Sequence, residues 1–257
     1  MSAESTNAAS FLCSTIVIIP ALNEAECVAR TIGFWRELGV AGVRVVDNGS
    51  TDATAALAAA AGAEVRHEAR RGYGAACWTG LLDWPADVDW ILFSSADGSD
   101  RLDARELVQW QREVEAGAVL IMGDRFSAPE SRRQLKAVQR FGNRLCCTLI
   151  FLGWGGRFRD MGSLRLLRRT AFEAMALEDR GFGWNIEMQV RALELGLRWR
   201  ELPVAYHPRL AGTSKISGSL RGTIRAAWGM LKMIGQLRLR RSPSAATAAG
   251  RAGRGCG

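Results

Sequence analysis

Short apolar runs alternate with segments of helical periodicity through the first half of the chain. We predict five strands, at residues 15–19, 43–47, 64–66, 90–93 and 119–123. Predicted helices occupy residues 24–38, 52–61, 74–82 and 103–116. A chain in which strands and helices alternate in this way is expected to form a parallel sheet with right-handed crossovers. The predicted fold class is therefore α/β, in a single domain.

The pattern is less regular in the second half. Residues 127–140 are rich in arginine and predict an irregular region. Beyond them we predict helices at residues 141–152, 184–195 and 220–237, and strands at residues 165–167 and 197–204. The helix at 220–237 is amphipathic and basic. We divide the chain into a flexible N-terminus (1–13), a globular domain (14–218), the basic helix (219–241) and a disordered tail (242–257).

Composition narrows the class of partner. The chain has 257 residues and a formal net charge of +8, which predicts an anionic partner such as a nucleic acid, a phospholipid surface or a phosphorylated substrate. Nucleic acid is not expected, because aromatic residues are not interleaved with the arginines and no nucleic-acid motif is present. The chain has six cysteines but no Cys-x-x-Cys pair, and its start does not resemble a signal peptide, which together predict a cytoplasmic protein. Because no run reaches ~18 apolar residues, we expect membrane contact to be peripheral at most.

Acidic residues follow two of the predicted strands. Asp47 opens an Asp-Asn-Gly-Ser-Thr-Asp turn, and Asp97 lies in the segment 94–100 after the strand at 90–93. Parallel strands end at one edge of a sheet, where nucleotides bind, so the two segments are expected to face one crevice. Mg²⁺ or Mn²⁺ bound to phosphates needs only one or two protein carboxylates. The alternative for Asp97 is an Asp-Gly turn that caps a helix.

Two further segments carry candidate binding groups. Glu24 stands where the first strand turns into a helix and is a candidate for a base or ribose, although Asn23 and Glu24 are also suited to capping that helix. The segment from Arg209 to Lys215 contains a Gly-Thr turn that is suited to wrapping a phosphate, although solvated charge is the usual role of such residues.

Five segments in this order resemble family-2 glycosyltransferases. They are residues 17–24, 46–52, 96–100, 160–163 and 209–215, and the resemblance covers about residues 14–235. Within the family, the chain is similar to the dolichyl- and polyprenyl-phosphate mannosyl- and glucosyltransferases. The resemblance implies a GT-A fold with a Rossmann-like, mostly parallel sheet flanked by helices. It also implies an inverting transfer of a hexose from a GDP- or UDP-sugar to a polyprenyl-phosphate acceptor.

The resemblance assigns roles by position. The nucleotide pocket is expected to comprise Pro20, Leu22, Glu24, Val45 and Asp47. The loop at the donor phosphates and the divalent metal is expected to contribute Ser95, Ala96, Asp97, Ser99 and Asp100, with all but Ala96 as metal ligands. The cationic groups for donor diphosphate and acceptor phosphate are expected to be Arg125, Arg140, Arg209 and Lys215. The chain departs from the family at Ser95, where the family has the first Asp of its metal motif, and a neutral hydroxyl is the weaker ligand.

The acceptor determines which groups catalysis needs. An acceptor phosphate is already ionised at neutral pH and attacks without a strong base, whereas a hydroxyl acceptor requires one, for which Asp160 is the candidate. The alternative role of Asp160 is to orient the acceptor loop. We expect Asp97, Asp160, Arg209 and Lys215 to be the catalytic residues. Ser95 leaves open a catalytically weak nucleotide-sugar-binding protein. The basic helix either lies on an anionic leaflet or packs on the domain.

Overall fold

The computed structural model describes residues 10–211 and 220–240. In these residues the strands are β1 (Thr15–Ala21), β2 (Gly42–Asp47), β3 (Glu64–His67), β4 (Trp90–Phe93), β5 (Leu120–Asp124), β6 (Arg165–Arg168) and β7 (Trp199–Pro203). The helices are α1 (Val28–Glu37), α2 (Thr54–Ala60), α3 (Tyr73–Gly80), α4 (Ala104–Glu115), α5 (Pro129–Gln134), α6 (Ala137–Trp154), α7 (Arg169–Met175), α8 (Trp184–Glu194) and α9 (Leu220–Arg240).

The strands form one mixed sheet in the order β3-β2-β1-β4-β6-β5-β7. Neighbouring strands are parallel except at β6, which is antiparallel to both β4 and β5. The α/β fold class and the mostly parallel sheet are confirmed, and β6 is the one strand of the described residues that runs in the reverse direction. The reason lies in residues 125–164, which leave and rejoin the sheet at the same edge. Arg125 pairs there with Asp160, so the chain must enter β6 in the reverse direction.

The central strands are apolar on both faces because helices cover both sides of the sheet. Ile18, Val46 and Ile91 face the layer that contains α3, α6 and α8, while their neighbours Val17 and Val45 face the layer of α1, α2 and α4. Such continuous apolar strands are typical of a buried sheet. Arg44 of β2 is a buried polar exception, which donates to Glu64 and to the Gly80 carbonyl.

Two sequence-based boundaries are corrected by the structure. Residues 127–140 are not irregular, because α5 and the start of α6 lie there, and α5 begins with a proline in its first turn, where proline's missing N–H costs nothing. Residues 10–14 form a 3-10 turn that buries Phe11 and Leu12, so the ordered domain begins before residue 14. The predicted tail at 242–257 lies outside the described residues. In the part that is described, no helix is both long enough and apolar enough to span a bilayer.

Gly80 in α3 packs closely against β1, and its replacement is therefore expected to destabilise the fold. A Cβ added at Gly80 would lie 2.4 Å from Cγ2 of Ile18 and 3.1 Å from Cγ2 of Val46. We expect Gly80→Ala to lower the free energy of unfolding by about 1–3 kcal/mol, because the site is overpacked. The matched control is Gly33→Ala in α1, where an added Cβ meets nothing within 4 Å. The control is expected to be neutral or to stabilise by up to about 1 kcal/mol. Urea unfolding measures both, and equal effects would contradict this packing.

Candidate functional site

The carboxyl ends of β1, β2 and β4 lie side by side and carry the polar segments that the sequence singled out. Ala21 at the end of β1 pairs with Asp47 at the end of β2. The loops that follow β1 and β2 are joined by hydrogen bonds. Oδ1 of Asn23 accepts from the Thr51 backbone amide at 2.7 Å, and the Asn23 backbone amide donates to Ser50 Oγ at 2.9 Å. The strand ends therefore form one rigid rim.

A late arginine joins two of these segments. Nη1 of Arg209 lies 2.6 Å from Oδ2 of Asp97, and its Nη2 lies 2.6 Å from Oε1 of Glu24. Burial opposes the charge of Arg209, but the two carboxylates outweigh it and raise the pKa of the guanidinium. The structure thus brings together Glu24, Asp97 and Arg209, three of the residues predicted from sequence.

The loop that carries Asp97 is fixed by its own hydroxyls. Oδ1 of Asp97 accepts hydrogen bonds from Ser95 Oγ at 2.8 Å and from Ser99 Oγ at 2.6 Å. The Ala96 carbonyl accepts from Thr31 at 3.1 Å, and the Asp97 carbonyl accepts from the Leu210 amide at 3.0 Å. The predicted oxygen ligands Ser95, Asp97 and Ser99 therefore converge.

Asp100 is placed differently from the rest of the predicted metal set. Its Oδ2 accepts from the Ser95 amide at 2.8 Å and from Ser163 Oγ at 2.7 Å. Burial, together with the nearby charge of Asp97, raises the pKa of the Asp100 carboxyl. Asp100 thus contacts Ser163, whereas Asp97 contacts Arg209, so Asp97 is the main candidate for a cation ligand at the Arg209 cluster.

This donor set fits a divalent cation of the Mg²⁺ or Mn²⁺ type. Among the described residues there is no group of three or more His, Cys, Asp and Glu side chains suited to a metal. One carboxylate with neighbouring hydroxyls is nevertheless sufficient where phosphates and water supply the other ligands. Oδ2 of Asp97 would have to exchange Arg209 for the cation, and Arg209 would then be available to a phosphate.

The predicted nucleotide pocket is only partly formed at this rim. Asp47 is buried and accepts from the Ser50 amide at 3.1 Å, and Pro20 and Leu22 are partly exposed at the end of β1. Val45 has 0% exposure, so its assignment to the pocket is corrected. Side chains alternate along β2, and that of Val45 points into the layer of α1, α2 and α4. His67, to which the sequence analysis gave no role, lies beside this pocket, with its Nδ1 3.5 Å from Oδ2 of Asp47. The sequence signal that could have indicated this residue is its position at the polar end of β3, the strand that pairs with β2.

Arg125 and Asp160 form a second polar pair, on the segment that joins β5 to β6. Nε and Nη2 of Arg125 each lie 2.7 Å from an oxygen of Asp160, and the Arg125 amide donates to Oδ2 at 3.1 Å. Burial opposes the charge of Asp160, but Arg125 outweighs it and lowers the pKa of the carboxyl. Both carboxylate oxygens are engaged by Arg125, an arrangement suited to orientation rather than to a general base.

A groove of about 840 Å³ lies along α6 and residues 157–159, and Phe126 and Arg159 on its wall are the chain neighbours of this pair. It is lined by five arginines and four phenylalanines and by no carboxylate; its arginines are Arg132, Arg140, Arg144, Arg157 and Arg159, and its phenylalanines are Phe126, Phe141, Phe151 and Phe158. We call it the arginine–phenylalanine groove. Arg140 lies here and is separate from the Arg209 cluster. Lys215 lies outside the described residues.

Comparisons with known proteins identify the family. The profile described as Glycosyl transferase family 2 matches residues 16–176. An uncharacterised glycosyltransferase of Mycobacterium tuberculosis is 38% identical over 226 residues, which are 85% of this chain and 96% of that protein. The polyprenol monophosphomannose synthase of Mycolicibacterium smegmatis is 29% identical over 217 residues, 80% of this chain and 82% of that protein.

Among solved structures, glucosyl-3-phosphoglycerate synthase from Mycobacterium tuberculosis has the same fold. Its complex with Mn²⁺, uridine diphosphate and phosphoglyceric acid matches with a TM-score of 0.70 at 18% identity, over 95% of this chain and 85% of that one. The resemblance drawn from the five sequence segments is therefore confirmed. The chain belongs to glycosyltransferase family 2 and is a glycosyltransferase.

Proposed function

We propose that this enzyme transfers a hexose, mannose or glucose, from a GDP- or UDP-sugar to a polyprenyl phosphate, with inversion at the anomeric carbon. The observation that carries the proposal is the arginine–phenylalanine groove, which combines cationic and aromatic side chains and contains no carboxylate. An isoprenoid phosphate has the matching chemistry, an anionic head and an apolar chain. The Mycolicibacterium relative is named for a polyprenol product.

The donor side has groups for each part of a nucleotide sugar. In this proposal Asp47 and Glu24 bind the nucleoside, and Asp97, which accepts from Ser95 and Ser99, holds a divalent cation at the diphosphate. When bound, the cation stabilises the negative charge that develops on the departing nucleoside diphosphate. Arg209 lies beside Asp97 and is the protein cation that adds to this effect.

The acceptor side does not require a general base for this reaction. A phosphate monoester is ionised at neutral pH, and its oxygen attacks the anomeric carbon directly. This fits the state of Asp160, whose two oxygens are both held by Arg125. The resemblance assigns Arg125 and Arg140 to phosphate binding, and of these two Arg140 lines the groove.

Two neighbouring helices support peripheral contact with an anionic leaflet on the cytoplasmic side. Helices α6 and α9 lie together, since Sγ of Cys146 is 3.9 Å from Sδ of Met230. One face of α9 packs on the domain through Met233, Ile234 and Leu237, whereas Leu231 is 38% exposed. Large apolar side chains nevertheless remain exposed on both helices, namely Phe141, Leu152, Trp228 and Leu239. Apolar side chains mixed with arginines and lysine are typical of interfacial helices.

The test measures binding and transfer separately. In a thermal-shift panel with Mn²⁺, the correct donor among UDP-, GDP- and dTDP-sugars should stabilise the protein by about 2.7 kcal/mol at 100 times its dissociation constant. The same donor should then yield a nucleoside diphosphate and a polyprenyl-phosphate sugar, and free polyprenol should not react. Transfer to 3-phosphoglycerate alone would contradict the lipid acceptor. A donor-induced shift without any transfer would favour the nucleotide-sugar-binding alternative.

A further inference from the structure

The three residues 159–161, which we call the Asp160 segment, are held in place by side chains from other elements. Glu201 in β7 accepts from the Arg159 amide at 2.9 Å and from the Asp160 amide at 3.0 Å, both through Oε1. Gln189 in α8 donates to the Asp160 carbonyl at 3.0 Å. The backbone of the residue that pairs with Arg125 is thus bound on both sides.

Asn143 in α6 completes the set. Its Nδ2 donates to the Arg159 carbonyl at 2.6 Å, and its Oδ1 accepts from the Met161 amide at 2.7 Å. Nδ2 of Asn185 donates to the Met161 carbonyl at 3.2 Å. All six backbone donors and acceptors of the Asp160 segment therefore have side-chain partners. Because the segment belongs to no helix or strand, these partners determine its position.

We propose that Glu201, Gln189 and Asn143 are positioning residues for sugar transfer, which fix the Asp160 segment and, through Asp160, the guanidinium of Arg125. The inference rests on the proposed function, in which Arg125 binds a phosphate at the reacting centre. Arg125 donates two side-chain hydrogen bonds to Asp160, so a displacement of Asp160 displaces the cation. A shift of about 1 Å in a group that orients a substrate can cost about 100-fold in rate.

Glutamine is the conservative replacement at Glu201. Burial, with the charges of Asp124 and Asp160, raises the pKa of Glu201 to about 7, so the neutral carboxyl is well populated at neutrality. Oε1 accepts from both amides, and Oε2 also lies 2.9 Å from the Arg159 amide nitrogen. A glutamine whose carbonyl oxygen takes the place of Oε1 still accepts from both amides, while its NH2 group has to turn away from the Arg159 N–H. Alanine removes the acceptor altogether. The pair of variants separates the hydrogen bonds from the charge.

The experiment compares Glu201→Ala and Glu201→Gln with Glu194→Ala in transfer assays at a temperature where all are folded. Glu194 is the matched control, a partly buried carboxylate on α8 that accepts from Trp154 at 3.0 Å and Arg191 at 2.9 Å but does not contact the Asp160 segment. We expect Glu201→Ala to lower kcat by about 10- to 100-fold with little change in KM for the donor. Glu201→Gln should stay within about threefold of wild type.

Two results would overturn the inference while leaving the proposed function intact: a wild-type kcat for Glu201→Ala, or an equal loss in Glu194→Ala. Amide hydrogen exchange supplies a readout that needs no activity. The Asp160 amide should exchange at least about tenfold faster in Glu201→Ala than in wild type or Glu194→Ala, because its acceptor is gone. Equal exchange rates overturn the inference even if the wild type fails to transfer a hexose, a failure that by itself contradicts the proposed function.

Discussion

Asp97→Asn is expected to abolish the Mn²⁺-dependent part of donor binding and to lower the transfer rate by about 10²- to 10³-fold. Asparagine keeps an oxygen for the bonds from Ser95 and Ser99 but removes the charge. It also places an amide where Oδ2 now lies 2.6 Å from Arg209, so one oxygen ligand is replaced by a donor. The fold of the loop should survive, because the neutral side chain matches the carboxylate in shape.

The measurement is a thermal shift with the donor in the presence of Mn²⁺ and again in excess chelator. In wild type the two shifts should differ, and in Asp97→Asn they should be equal. Asp103→Asn is the matched control: it removes the same charge six residues away, where Asp103 caps α4 by accepting from the Glu106 amide at 2.8 Å, and asparagine is an equally good cap. A full metal-dependent shift in Asp97→Asn would remove Asp97 from the metal site.

Local patterns in the sequence were sufficient for the parallel half of the fold. The apolar runs of β1, β2 and β4 and the helices between them have clear periods, and the Asp103–Glu106 capping box marks the start of α4. The direction of β6 was not predictable in this way. Its sequence Arg-Leu-Leu-Arg has no directional signal, and the reversal is set by contacts such as Ser163 with Asp100, which lie 63 residues apart.

In the candidate site, too, local patterns predicted some features and contacts between distant residues determined the others. Asp47 and Asp97 were predicted at one edge because parallel strands end together, and both segments lie on the rim of the sheet. Arg209 was predicted as a cation, but its partners Glu24 and Asp97 lie 185 and 112 residues away, beyond any local pattern. The sequence did contain one indication for Glu201, a carboxylate inside a predicted strand. Burying a carboxylate costs free energy unless the group is hydrogen-bonded, so such a residue is expected to have partners.

Breaking the Arg125–Asp160 pair should have the largest effect on stability. Asp160 has 0% side-chain exposure, and removal of one partner from a buried pair leaves an uncompensated charge. We expect Arg125→Met to lower the free energy of unfolding by about 3–5 kcal/mol. The control is Arg66→Met, which breaks the more exposed pair with Glu64 at 33% and 45% exposure and should cost at most about 1 kcal/mol.

The pH dependence of that loss identifies its cause. In wild type the pKa of Asp160 is lowered, so the pair stabilises the fold at neutral pH, and this stability is lost as the pH falls through the native pKa. In Arg125→Met the carboxyl loses its counterion and protonates more readily. The deficit of the variant should therefore be largest at neutral pH and shrink toward pH ~4, the ordinary range of an aspartate. Urea unfolding across this range measures it. A deficit that is constant with pH would assign the loss to packing instead of charge.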